Sequence, residues 1–169
     1  MNKLKAWRVM ALVASLVLAM GPVAGASASR VVHRATAGGP DFCEAFGLPP
    51  GCDANFSLTA LQMADGSVTG EYHDQFSDPI SGIRGIHVAV DCLNVIGNQA
   101  WVSGVITHSR IPGAVGLDVV STVVDNGRSA NDPADEISFA IFGTGIDCNA
   151  APAFGFPLFS VPQGQVVVQ

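Results

Sequence analysis

The chain has 169 residues and a formal net charge of −6, with 14 acidic residues against eight basic ones. Three basic residues (Lys3, Lys5 and Arg8) lie at the start, so residues 29–169 carry five arginines, no lysine and a net charge of −9. A surface this acidic repels phosphate backbones and anionic lipid, which excludes a nucleic-acid-binding protein. The length of this remainder corresponds to one domain.

Residues 1–28 have the organisation of a secretory signal peptide. The basic start MNKLKAWR precedes the apolar run VMALVASLVLAM, and GPVAGASAS then matches the A-x-A cleavage rule. The apolar run has 12 residues, short of the roughly 20 that a membrane-spanning helix needs. We therefore expect cleavage after Ala28, secretion to the extracellular space, and no membrane span in the mature chain.

Four cysteines in the exported part predict two disulfides, for which three pairings are open. Cys43 and Cys52 flank EAFGLPPG, whose Pro-Pro-Gly turn can bring them together, and Cys92 and Cys148 would then form the second bridge. The spacings contain no C-x-x-C pair, which disfavours a zinc site. Residues 29–53 lack periodicity, so we expect an N-terminal tail with a small disulfide loop.

The rest of the chain reads as short strands between turn signals. Asp65-Gly66 and Gly97-Asn98 each separate two strand-like segments, which predicts two β-hairpins because tight primed turns need positive φ. Further strand candidates are VGLDVVSTVV, EISFAIFG and QVVVQ. Residues 54–169 are therefore expected to form an all-β domain, an antiparallel β-sandwich or flattened barrel of about seven to eight strands.

Several of these segments together resemble a known type of domain. VDCLNVIGNQAWVSGVI, VVDNG, DEIS, a later cysteine and QGQVVV are similar to uncharacterised small exported bacterial β-domains of the post-COAP type. The similarity covers roughly residues 54–169. The resemblance implies an all-β fold and a bridge between Cys92 and Cys148, and it implies no catalytic residues.

A histidine pair is a candidate for a metal site. If the Gly-Asn turn has two residues, His87 lies opposite His108 with Cβ atoms about 5 Å apart, close enough for two imidazoles to share Zn²⁺ or Cu²⁺. Asp91 lies about 13 Å along the strand, too far to be a third ligand, whereas His73 or Asp74 could reach from a neighbouring strand. Because two imidazoles make an incomplete site, we expect no cofactor and Zn²⁺ binding no tighter than high micromolar.

The loop in VVDNGRSANDPADEISF is a candidate calcium site with carboxylates at Asp125, Asp132, Asp135 and Glu136. Counted from Asp125, Glu136 stands at position 12, where a calcium-binding helix–loop–helix places its bidentate acid. However, position 3 is Gly127, which has no side-chain ligand, and the flanks are Val-rich strands. We therefore expect an acidic turn in which Asp125 binds nearby backbone amides.

Catalytic constellations are not visible in the sequence. It contains no G-x-S-x-G motif, and Ser103 stands in a strand as an ordinary sheet residue. Glu71 and Asp74 project from opposite faces of one strand, so they do not form the carboxylate pair of a glycosidase.

The segment APAFGFPLFSVP carries Phe154, Phe156 and Phe159 among three prolines. Prolines at this density predict an edge strand or a covering loop. We expect the phenylalanines to plug one end of the β core, and the alternative is an exposed apolar patch for a partner or small ligand.

The sequence therefore predicts a secreted, non-enzymatic module that binds an unknown extracellular partner or ligand at a cell surface or extracellular matrix. One alternative is a β-barrel carrier of a small apolar ligand, which needs a hollow interior lined by the strand faces. Another is a small secreted hydrolase, which needs a cleft with a histidine and an acid in contact.

Overall fold

The computed structural model describes residues 30–40, 55–77, 84–129, 131–161 and 163–169. These residues form one antiparallel sheet of ten strands and a single 3-10 turn at Ala151–Ala153. None of the described ranges contains a helix long and apolar enough to cross a membrane. The predicted signal peptide and the Cys43–Cys52 loop lie outside the described residues.

The strands follow one another as antiparallel neighbours along most of the chain. Their order in the sheet is β10-β1-β2-β3-β4-β5-β6-β7-β9, with β8 paired to β6. Their bounds are β1 (Val31–Pro40), β2 (Asn55–Met63), β3 (Val68–Ser77), β4 (Arg84–Ile96), β5 (Gln99–Ser109), β6 (Asp118–Val124), β7 (Glu136–Ser138), β8 (Ile141–Phe142), β9 (Leu158–Ser160) and β10 (Gln165–Val168). The sheet curls into a half-barrel, which confirms the predicted all-β antiparallel class.

Both predicted hairpins form. Ile96 pairs with Gln99, and Gly97 between them has φ +64°, the positive value that a two-residue II′ turn needs at its first central position. The first hairpin is one residue longer than its Asp-Gly signal, because the N–H of Met63 bonds to the carbonyl of Ser67 around a three-residue loop. Gly66 takes the left-handed position there, with φ +86°.

The prediction of an N-terminal tail over residues 29–53 is wrong for its first half. Residues 31–40 form β1, which pairs with both β2 and β10 and so lies within the sheet. Ala35 and Ala37 are buried on its inner face, opposite Ala60 and Leu58 of β2. Small residues pack where the curl brings strands close together. Alanine and glycine do not favour strands, so the sequence of this segment gave little indication of β1.

The inner face of the curl holds the main hydrophobic core. Alternate residues of the long strands point into it, as the period of two requires, and close the space between the two sides of the half-barrel. Its largest fully buried side chains include Ile86, Ile106, Val119, Val123 and Val166. A void between β2 and β6 measures about 10 Å³, so the side chains around it are closely packed.

Two carboxylates hold the two sides of the curl together. Asp135, just before β7, accepts the backbone N–H of Val166 at 2.6 Å, and Asp125, just after β6, accepts that of Val168 at 3.1 Å. Residues 166 and 168 point their N–H groups away from β1, so the outer edge of β10 would otherwise leave these donors unpaired. The two carboxylates therefore accept the backbone N–H groups at the edge of β10, where no further strand pairs with it.

A second, smaller hydrophobic cluster covers the outer face of β5 and β6. Trp101 and Val120 pack there against Cys148 and Ala151, with Ile146 and Phe156 around them. A disulfide joins Cys92 of β4 to Cys148, which confirms that predicted bridge. The bridge fastens the segment of residues 143–156 onto the outer face, giving that part of the sheet a second layer.

Candidate functional site

Three histidines stand side by side on the outer face of the sheet. His73 of β3 pairs with His87 of β4, and His87 pairs with His108 of β5. The ring centroids of His73 and His87 are 4.2 Å apart, and those of His87 and His108 are 5.5 Å apart. We call these three residues the histidine row. The predicted opposition of His87 and His108 is confirmed.

Two bulges maintain this alignment. In β4, Asp91 is an extra residue between Val90 and Cys92, and it shifts the pairing with β5 by one position. In β5, Thr107 is an extra residue between Ile106 and His108, and it shifts the pairing back. The Thr107 hydroxyl donates to the carbonyl of His87 at 3.2 Å, which fastens the second bulge beside the histidines.

The sequence analysis named His73 and Asp74 as side chains that could lie beside His87 and His108. Of these two, only His73 lies on the same face of the sheet. Asp74 is buried on the inner face, where its carboxylate accepts the hydroxyl of Tyr72 at 3.1 Å. His73 is on the outer face with 32% of its side chain exposed, and its Nε2 lies 3.3 Å from the exposed carboxylate of Glu71. Glu71 is therefore an acidic neighbour of the row, at its β3 end.

The environment of His87 favours its neutral form. Partial burial lowers the pKa of His87 below 6.5, and the nearby imidazoles of His73 and His108 lower it further because they would add like charge. Glu71 acts in the opposite direction. A neutral imidazole has an unshared electron pair on one ring nitrogen, which is the form that accepts a hydrogen bond or binds a metal.

In their present orientation the three rings do not surround a common point. His73 and His87 are tilted by 33° from parallel, whereas His87 and His108 meet edge to face at 78°. Within the described ranges, no three His, Cys, Asp or Glu side chains are arranged to hold one metal ion.

The acidic loop uses its carboxylates as acceptors for backbone amides. Asp125 accepts the N–H of Gly127 at 3.1 Å, which confirms the predicted turn chemistry, and its other oxygen binds β10. Asp135 is only 7% exposed and accepts the N–H of Asn126 at 2.9 Å in addition to that of Val166. Two of the four candidate calcium ligands are therefore turned toward the protein.

The other two acids of the loop also have partners within it. Asp132 accepts the N–H of Ser129 at 2.8 Å, and Glu136 accepts the side-chain amide of Asn126 at 3.3 Å. An open depression of about 450 Å³ lies beside the loop, lined by Arg128 and Asp132 among others. The loop is thus a hydrogen-bonded connection with one cationic side chain at its rim.

The residues considered for nucleophilic catalysis have structural roles. Ser103 accepts the backbone N–H of Cys148 at 3.1 Å, and the side chain of Asn94 donates to the carbonyl of Cys148 at 3.3 Å. Both contacts hold the disulfide-linked segment on the sheet. Glu71 is on the outer face and Asp74 on the inner face, as predicted.

The three phenylalanines of the proline-broken segment do not form a single plug, so that prediction is wrong. Phe156 joins the outer cluster, and Phe154 stacks on it at 6.2 Å while staying 47% exposed. Phe159 lies in β9 and packs edge to face against Phe139 at 4.8 Å. The segment does supply an edge strand and a covering loop, because β9 is last in the sheet order.

Comparison of this chain with protein-family profiles, with curated proteins and with solved structures gives no match.

Proposed function

We propose that the chain is an exported, non-catalytic β-module that acts by binding a partner at its surface, outside the cell. The observation that carries this proposal is the close packing of the inner strand faces between β2 and β6. Ligand pockets for small molecules measure about 300–1,000 Å³, whereas the void between the inner strand faces measures about 10 Å³. An apolar carrier needs an interior that can admit its ligand, so the binding is assigned to the outside of the sheet.

Export is supported by the disulfide as well as by the sequence of residues 1–28. Bridges such as Cys92–Cys148 persist in oxidising compartments and are rare in the cytosol. The bridge fastens a covering segment to the sheet, which is the role of a structural disulfide rather than of a reactive pair of thiols. A structural cross-link of this kind fits a protein that functions outside the cell. Its acidic composition favours solubility there.

A binding role rather than a hydrolytic one is supported by how the acids and Ser103 are used. Asp125 and Asp135 accept backbone N–H groups, and Ser103 accepts that of Cys148. A hydrolase would need a nucleophile or acid in contact with a histidine in a cleft. The one such contact among the described residues, between Glu71 and His73, is on an exposed convex face.

The test follows the full chain through export and then measures binding. We expect a bacterial host to release a protein beginning at Ser29 into the periplasm or medium, and we expect the purified protein to sediment with isolated cell envelope or matrix of the producer. Heat-unfolded protein is the matched control for nonspecific adsorption. Cytoplasmic protein that keeps residues 1–28 would contradict export.

The same preparation separates the alternatives. Native mass spectrometry is expected to give the mass of the chain alone. A retained apolar molecule would identify a carrier, and absence of any envelope or matrix binding would contradict the surface module.

A further inference from the structure

The negative charge of the protein is not spread evenly over the sheet. The acidic loop follows β6, and it lies at the β4–β5 turn because the side chain of Asn98 donates to the carbonyl of Asp125 at 2.8 Å. His87 stands near the other end of β4, roughly 30 Å from this turn at the rise of a strand. Salt screens charges over about 8 Å at physiological ionic strength, so the acidic loop does not determine the potential at the histidine row.

The end of the sheet that carries the histidine row also carries arginine. Arg84 begins β4, and Arg110 follows directly after β5 and is exposed. Glu71 lies beside His73 on the outer face, whereas Asp74 is buried on the inner face. Imidazole gains a positive charge in mildly acidic solution. This end of the sheet therefore becomes cationic on acidification, although the chain as a whole is acidic.

The groups around His87 couple its charge to the presence of an anion. From β3 it is faced by His73 and Glu71, and from β5 by His108, while Asp91 on its own strand is about 13 Å away. Partial burial and the two imidazoles lower the pKa of His87, and the carboxylate of Glu71 acts to raise it. A second carboxylate over the row acts in the same direction as Glu71, so an anion and protons bind together.

Glu71 is an example within the protein of a carboxylate held by the row. Its Oε2 lies 3.3 Å from Nε2 of His73, on a face where 77% of the Glu71 side chain is exposed. The row continues from His73 across two further strands, with ring centroids 4.2 and 5.5 Å apart. A linear chain that bears repeated carboxylates can therefore meet His87 and His108 in succession.

We propose that the histidine row, together with Arg110, binds a linear acidic polysaccharide whose charges are carboxylates, and that acidification strengthens this binding. The surface rests on the proposed binding function and names the class of its partner. Ser57, opposite His73, and Thr107, beside His108, are exposed polar residues of the same face. Insertion into a membrane surface uses aromatic and aliphatic side chains, so these neighbours favour a hydrophilic polymer over lipid.

Binding of the full exported chain to immobilised polygalacturonate tests the proposal, with protein prepared without a polyhistidine tag. Dextran is the uncharged control polymer, and vesicles of anionic phospholipid are the alternative surface. Carboxylates of this kind stay ionised at about pH 5.5, whereas imidazole gains its proton between about pH 7.5 and 5.5. We expect the affinity to rise about tenfold over this interval, because each exposed ion pair contributes up to about fivefold.

Two substitutions have opposite expected effects at about pH 5.5. His87→Gln removes a cation and is expected to weaken binding about threefold, whereas Glu71→Gln removes a competing carboxylate and is expected to strengthen it about threefold. A variant that merely fails to fold does not bind more tightly. His33→Gln is the matched control, because His33 is exposed on β1 opposite Gln62, at the other end of the sheet from the row.

The outcomes also separate this surface from the proposed function. Equal affinity at the two pH values, equal binding to dextran, or no effect of either substitution would overturn the polysaccharide surface. Binding to the anionic vesicles but not to polygalacturonate would overturn it in favour of a lipid surface. Sedimentation with the cell envelope that neither His87→Gln nor Glu71→Gln alters would overturn the role of the row and leave the surface-binding module intact.

Discussion

Asp135 and Val166 are joined by a hydrogen bond of 2.6 Å, from the backbone N–H of Val166 to Oδ2 of Asp135. The two residues are 31 positions apart, and the contact ties the start of β7 to the edge of β10. The other oxygen of the same carboxylate accepts the N–H of Asn126. One buried side chain thus satisfies two backbone donors that have no strand partner.

Asp135→Asn is expected to destabilise the protein by about 2 kcal/mol, because an amide offers one acceptor where two N–H donors need one each. Urea unfolding of the variant and of the unsubstituted protein measures the difference in their free energies of unfolding. Asp132→Asn is the control: Asp132 is exposed and its amide replacement can still accept the N–H of Ser129, so a change within about 0.5 kcal/mol is expected. Equal effects of the two substitutions would refute the closing role of Asp135.

Gly104→Ala is expected to destabilise the sheet by about 2–3 kcal/mol, since an overpacked core has to move its backbone. A Cβ at residue 104 would stand 2.1 Å from the carbonyl oxygen of Ala89 on the neighbouring strand. Gly155→Ala is the matched control, because a Cβ there meets no atom within 4 Å. Denaturant midpoints of the two variants check the expectation, and a neutral Gly104→Ala would contradict the close approach of β4 and β5.

Replacing both Cys92 and Cys148 by alanine is expected to lower the free energy of unfolding by up to about 4 kcal/mol in the chain-entropy model. The loss of stability should not be uniform along the chain. Backbone amides of residues 143–156 should exchange with solvent faster, while the order of protection among amides of the inner strands should not change. Hydrogen exchange with mass spectrometry measures this. Unchanged protection of the covering segment would show that the outer cluster holds it without the bridge.

His87 is expected to titrate below 6.5 in metal-free protein, because burial and the imidazoles of His73 and His108 disfavour its charged form. The unfolded chain then binds this proton more readily than the folded one, so the contribution of His87 reduces stability as the pH falls from 6.5 through the folded-state pKa. Ring NMR should show that His108→Gln raises the pKa of His87. A pKa that does not move would contradict the influence of His108.

Millimolar Ca²⁺ is expected to leave the melting temperature within about a degree, because a ligand below its Kd adds less than about 0.4 kcal/mol. Asp125 and Asp135 present their oxygens to backbone donors, so calcium would have to displace these contacts. Differential scanning calorimetry measures the shift. A rise of several degrees that Asp125→Ala abolishes would establish a calcium site instead.

The sequence predicted features that local chemistry determines. The Gly97-Asn98 turn places His87 opposite His108 because glycine supplies the positive φ of a tight hairpin. The bulges at Asp91 and Thr107 could not be predicted, since a bulge is selected by the packing of both sheet faces at once. The opposition was predicted correctly because the two register shifts cancel before His87.

Features that depend on distant partners were missed. Ala35 and Ala37 identify β1 only when Ala60 and Leu58 are known to face them, because alanine has no marked preference for strands. Likewise, the loop acids suggested a cation because the sequence does not reveal that Val166 and Val168 approach them. β7 and β8 were predicted as one strand, EISFAIFG, because strands of two or three residues are too short to show a period.

The position of β1 between β2 and β10 limits when the protein can fold. Residues 31–40 leave the ribosome early, yet one of their two neighbours is formed by residues 165–168, so the sheet cannot be completed during most of synthesis. Pairing across so long a stretch of chain is slow. The sheet therefore stays incomplete until residues 165–168 have left the ribosome.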